Sequence, residues 1–112
     1  MTMLDTHVSL AHGNGGRYMR ELIHELFARH LANPLLDTNS DAAVLPWDAG
    51  AGERVFTTDS FTVQPIEFPG GNIGSLAVHG TTNDLAVAGA IPKYLSLGVI
   101  LEEGLDFTVL ER

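Results

Sequence analysis

Apolar residues recur at three- and four-residue spacing over Met19, Leu22, Ile23, Leu26, Phe27 and Leu31. That is one stripe of an amphipathic helix. The pattern predicts a helix from about Gly16 to Leu31, closed by Asn33-Pro34. Residues 1–15 ahead of it read as an extended arm that leads into a glycine-rich loop, HGNGG (His12 to Gly16). Beyond the helix the period changes. Ala42–Leu45 and Arg54–Thr58 predict short strands, the second carrying Val55 and Phe56 in a β-favouring run. Pro46–Gly52 is turn-rich and predicts a surface loop. Phe61–Phe68 is expected to be extended, with Pro65 disfavouring a central strand position, and Pro69-Gly70-Gly71 is a turn.

Asn72 stands where an N-cap is needed for a second helix, from about Ile73 to Ala88. Gly74 and Gly80 fall inside it, each costing about 1 kcal/mol relative to alanine. Close approach of another backbone or a ligand would explain them. Gly89 and Pro92 end the helix, the apolar run YLSLGVILE (Tyr94–Glu102) predicts a buried strand, and Phe107–Arg112 opens a third helix. Helix, strands, helix, strand and helix start predict an α/β (α+β) domain with one sheet.

The 112 residues suffice for one modest domain, and 45% are hydrophobic, so a core is available. There is no cysteine, which excludes disulfides, thiolate zinc sites and a cysteine nucleophile within this chain. Fourteen acids against six Lys and Arg give a net charge of −8. No basic footprint exists for nucleic acid. The opening residues lack a basic and apolar leader pattern, and no apolar run approaches a membrane span. A cytoplasmic location is therefore expected, with no membrane contact.

Against that acidic background three aspartates stand among apolar or small residues: Asp41 in SDAAVL, Asp59 in FTTDSF and Asp84 in TTNDLAVAGA. A carboxylate buried in such surroundings needs a partner or a cation. Mg²⁺ takes oxygen ligands and bridges carboxylates to phosphates. The glycine loop just before a helix N-terminus is suited to an anion, although it is neither a GxxxxGK[ST] nor a GxGxxG pattern. Each feature has a plainer reading: a flexible turn for the loop, a turn or capping acid for Asp59, a strand start for Asp41. Asp84 is hardest to dismiss, because Ile73, Ala77, Gly80 and Ala88 share its predicted helix face. The five histidines form neither HxxxH nor HExxH, so no zinc site is expected.

LAHGNGGRYMRELI, SDAAVL, the long run FTTDSFTVQPIEFPGGNIGSLAVHGTTNDLAVAGAIPKYLSLGVILEEG and the closing LER together resemble the N-terminal domain of the HypE family. These are hydrogenase maturation factors of the PurM-like, or aminoimidazole ribonucleotide synthetase, superfamily. The resemblance covers nearly the whole chain. It implies a PurM-like N-terminal ATP-binding and dimerisation domain over residues 1–112. The implied fold is a four-stranded mixed sheet with helices on one face, whose sheets pair into a β-barrel in a homodimer. It also implies ATP-dependent dehydration of an S-carbamoyl cysteine to a thiocyanate (a carbamoyl dehydratase, lyase), for the cyanide ligands of [NiFe]-hydrogenase. HypF and the HypC–HypD complex are the implied partners, and ATP and Mg²⁺ the implied cofactors.

Carried over by motif, Asp41, Asp59 and Asp84 are implied metal ligands. His12, Gly13, Gly15, Gly16 and Asn83 are implied to bind ATP or its phosphates. The pattern departs from the family at Ser40, where another acid often stands. It also departs in having no acceptor cysteine and no C-terminal domain. On this reading the chain is a fragment that stops inside its next helix and holds no catalytic residue of its own. Two alternatives remain open: another ATP-using member of the superfamily (selenophosphate synthetase, thiamine-monophosphate kinase or aminoimidazole ribonucleotide synthetase), or a non-catalytic dimerisation or docking module.

Overall fold

The computed structural model describes residues 6–50 and 52–112. Its elements in chain order are a 3-10 turn at Leu10–Gly13, α1 (Arg17–Leu22), a π-helical turn at Ile23–Phe27, α2 (Ala28–Leu31), β1 (Glu67–Phe68), β2 (Gly71–Asn72), α3 (Ile73–Val87) and α4 (Phe107–Glu111). The chain divides into two compact units, Met1–Trp47 with Gly98–Arg112, and Asp48–Leu97.

In the first unit the predicted helical stripe does what its spacing requires. α1, the π turn and α2 run on from one another and supply Leu22 and Leu26 to a core completed by Val8 and Phe107. Phe27, Leu101, Leu105 and Leu110 pack against it. Burying a side chain of this size contributes roughly 1.5–3 kcal/mol. Val8 and Phe107 meet because the N-terminal segment lies antiparallel to residues 104–107. Val8 N–H donates to Leu105 O at 2.8 Å, Gly104 N–H to Val8 O at 2.7 Å, and Phe107 N–H to Thr6 O at 2.9 Å. α4 then starts on Asp106, whose Oδ1 accepts from Thr108 N–H at 2.8 Å and Thr108 Oγ1–H at 2.7 Å. At the other end of α4, Glu111 meets Arg29 and lies 3.0 Å from His30 Nε2.

The arm expected over residues 1–15 is only partly an arm. Residues 1–5 lie outside the described residues, and Leu10–Gly13 winds into a 3-10 turn. His12 N–H donates to Ser9 O at 3.0 Å, and this local bonding curls the chain before the glycines.

In the second unit β1 and β2 form a hairpin with Glu67 opposite Asn72 and Phe68 opposite Gly71. Gly70 takes the left-handed conformation its turn requires, φ 93°. Asn72 caps α3 as predicted: its Oδ1 accepts from Ser75 N–H at 2.9 Å while its own N–H donates to Ser75 Oγ at 3.0 Å. α3 ends in a Schellman motif. Gly89 has φ 78°, its N–H donates to Ala86 O at 3.0 Å, and Ala90 N–H donates to Leu85 O at 2.9 Å.

The sheet departs from expectation. Among the described residues the only strands are β1 and β2, so the expected four-stranded mixed sheet, with helices on one face, is not formed. Ala42–Leu45, Arg54–Thr58 and Tyr94–Glu102 carry no ladder. A β-favouring run becomes a strand only where a second segment takes its N–H and C=O groups. The run expected to be buried is largely exposed instead, Leu101 apart: Leu95 is 57%, Leu97 61% and Ile100 fully accessible. Phe56, in the second predicted strand, is 86% exposed.

Candidate functional site

The glycine loop is held at both ends and open between them. On its near side His12 is buried. Its Nδ1 accepts from Ser9 N–H at 2.9 Å and lies 3.1 Å from Ser9 Oγ. Its ring meets Phe107 edge-on at 5.2 Å and Tyr18, on the far side of the loop, at 5.9 Å. Within the loop, a Cβ built on Gly13 or Gly15 would meet nothing within 4 Å. Gly15 has φ 79°. Gly16 N–H donates to Asn14 Oδ1 at 3.1 Å. The loop therefore exposes backbone with space around it, the requirement for backbone to approach a ligand closely.

The predicted carboxylates are less hidden than their sequence neighbours suggested. Asp41, Asp59, Asn83 and Asp84 are all exposed. Asp59 Oδ1 accepts from the next residue's N–H, Ser60, at 2.8 Å. Asp84 was expected among the small and apolar residues of one α3 face. That face is half-buried at Ile73, Ala77 and Gly80 but open at Asp84 and Ala88, and the residue α3 buries is Leu85. Asp41 follows Ser40, whose hydroxyl donates to Ala42 O at 2.8 Å. Among the described residues no group of three or more His, Asp or Glu side chains is placed to hold a metal ion. The donor chemistry nevertheless suits Mg²⁺. Asp59 and Asp84 offer exposed carboxylate oxygens, and this ion takes one or two carboxylates while phosphates and water fill the rest of its octahedron.

A depression of about 410 Å³ lies elsewhere, along the first helix, lined by Arg17, Arg20, Glu21, His24 and Glu25. Arg17 Nε donates to Glu21 Oε1 at 2.9 Å, one helical turn on. The hydrogen bond to Glu21, and then its charge, raise the Arg17 pKa. Residue types alone pointed to His12, but its supports did not show. Ser9 and Phe107 carry no motif, and Phe107 is brought to His12 only by folding. Among the described residues no helix is long and apolar enough to cross a membrane.

Residues 39–112 match the family described as AIR synthase related protein, N-terminal domain, and the chain belongs to that family. Within it the chain is similar to the carbamoyl dehydratase HypE of Escherichia coli K12, at 51% identity over 108 residues, covering 94% of this chain and 32% of that protein. The HypE of Azotobacter vinelandii is 53% identical over 105 residues, covering 94% and 30%. That of Rhodobacter capsulatus is 46% identical over 112 residues, covering 100% and 33%. A crystal structure of the hydrogenase maturation protein HypE in complex with ATP superposes with a TM-score of 0.85 at 55% identity, covering 92% of this chain and 30% of that one. The chain thus spans about a third of the length of the relatives it matches. The fold is PurM-like, of mixed helix and strand.

Proposed function

We propose that this chain is the ATP-binding and dimerisation domain of a HypE-like hydrogenase maturation enzyme. The observation that carries the reading is the match to HypE solved with ATP, at 55% identity over 92% of the chain. Asp59 and Asp84 are the proposed Mg²⁺ ligands, with Asp41 and Asn83 contributing. His12, Gly13, Gly15 and Gly16 form the loop proposed to cover the phosphates. Support is local: exposed carboxylate oxygens at Asp59 and Asp84, and open backbone at Gly13 and Gly15. Bound Mg²⁺ would neutralise charge on the transferred phosphoryl group.

In the whole protein the reaction is dehydration of an S-carbamoyl cysteine. Phosphoryl transfer to the carboxamide oxygen makes that oxygen a leaving group. Loss of phosphate, with both amide protons given up, leaves the thiocyanate. HypF as carbamoyl donor and the HypC–HypD complex as acceptor are part of the same proposal. The test is calorimetric titration of the chain with ATP, with and without Mg²⁺, beside a folded Asp84→Asn variant. Mg²⁺-dependent binding that the variant loses supports the assignment. Binding that the variant keeps removes Asp84 from the site.

A second reading is favoured by the bare apolar side chains of Phe56 and Ile100. It makes the chain a dimerisation module, in which a second copy supplies the missing strand neighbours and the sheets close into a barrel. A stable dimer with no measurable affinity for ATP would select it.

A further inference from the structure

We infer that His12 is a positioning residue that closes the base of the glycine loop, and not a ligand of the phosphates. The inference rests on the nucleotide reading only for what the loop holds, not for how it is held. His12 is 5% exposed, while Gly13, Asn14 and Gly15 next to it are open to solvent. Its Nδ1 takes the Ser9 N–H at 2.9 Å, an acceptor role that fixes the proton on Nε2 in the neutral ring. The ring edges meet Phe107 at 5.2 Å with planes 90° apart, and Tyr18 at 5.9 Å with planes 71° apart. Both are favourable edge-to-face arrangements. Phe107 belongs to the unit's core.

The geometry makes a clasp. His12 is the last residue before the glycines, Tyr18 sits in the first turn of α1 after them, and the two rings meet across the gap. Between them, Gly13 and Gly15 have no packing partner within reach of a side-chain carbon. Such a loop draws its order from its ends and from the Gly16–Asn14 bond inside it. Fixing the base lowers the entropy lost when a ligand orders the loop.

The test uses the full chain with three variants: His12→Ala, Tyr18→Leu and the double change. Backbone ¹⁵N order parameters of Gly13–Gly16 are measured without nucleotide, and affinity for Mg²⁺-ATP is measured in parallel. Order parameters at Leu22–Leu26 monitor the fold. Either single variant should drop the loop from the rigid range near 0.85 to below about 0.6 while the helix stays rigid. Both should weaken Mg²⁺-ATP by a similar factor, about tenfold, with the double variant little worse than either single one. An unchanged loop in either variant overturns the inference. So does weakened ATP binding in His12→Ala alone with the loop still ordered, because His12 would then touch the phosphate itself. If wild type binds no Mg²⁺-ATP yet both variants loosen the loop, the nucleotide reading fails and the clasp stands.

Discussion

Gly80 of α3 and Phe61 are packed so closely that a Cβ on Gly80 would stand 2.6 Å from Phe61 Cζ and 2.7 Å from its Cε1. The ring occupies the space that a side chain at residue 80 would need. This accounts for a helix-interior glycine that propensity disfavours by about 1 kcal/mol.

The contact predicts a sign reversal. Gly80→Ala should destabilise the chain, because the propensity gain of about 1 kcal/mol is outweighed by overpacking of about 1–3 kcal/mol. In a Phe61→Ala background the same change should stabilise, since the obstruction is gone. Thermal unfolding of the four proteins in the cycle reads the coupling directly. Destabilisation of equal size in both backgrounds would show that the ring is not the cause.

Asp106 predicts a pH dependence. Its carboxyl is held below the usual range, first by the Thr108 hydroxyl and then by the Thr108 backbone N–H. A depressed native pKa means stabilisation that is present above the unfolded value, about 3.9, and is lost as pH falls through the native value. Wild type should therefore lose stability in that acid window. Asp106→Asn, which still caps α4 but cannot titrate, should show a shallower acid limb. Melting temperatures from pH 7 to 2.5 give the comparison, and identical acid limbs would remove Asp106 from the account.

Asn72 caps α3 through two reciprocal bonds with Ser75. Asn72→Ala should cost about 1 kcal/mol, or about 5 °C in melting temperature for a domain of this size. Asn72→Ser should recover most of it. Circular dichroism melts of the three proteins are enough, and an unchanged midpoint in Asn72→Ala would mean that hairpin packing, not the cap, starts the helix.

What could be read from the sequence was what neighbouring residues decide among themselves. The Leu22 and Leu26 stripe, the Asn72 cap and the Gly89 stop all depend on partners within a few positions, and all stand where the chain puts them. The π turn at Ile23–Phe27 left no trace in an apolar spacing that suits an α-helix equally well. Strands at Arg54–Thr58 and Tyr94–Glu102 required a neighbouring strand that no local pattern specifies, and among the described residues the sheet holds only β1 and β2. For the candidate site, residue types alone singled out the glycine loop and the aspartates as proposed ligands. They misjudged the burial of Asp84 by treating a whole helix face as covered. The contact between His12 and Phe107 joins positions at opposite ends of the chain, which no local spacing encodes.

Ile100 is fully accessible and Phe56 is 86% exposed, so neither side chain stabilises the single chain by burial. Substituting either with lysine should leave the melting temperature of a dilute, monomeric sample nearly unchanged, since exposed positions without special features shift stability by about 0.5 kcal/mol or less. In an assembled form the expectation is opposite. A self-complementary interface repeats each contact across its twofold axis, so one buried lysine per chain places two charges in an apolar seam. Ile100→Lys and Phe56→Lys should therefore shift association to much higher concentration while the monomer's stability holds. Sedimentation velocity across a wide concentration range, with melts at the dilute end, separates the two effects. Association unaffected by both substitutions would mean that these side chains face solvent in every state of the chain, and the dimerisation reading would lose its support.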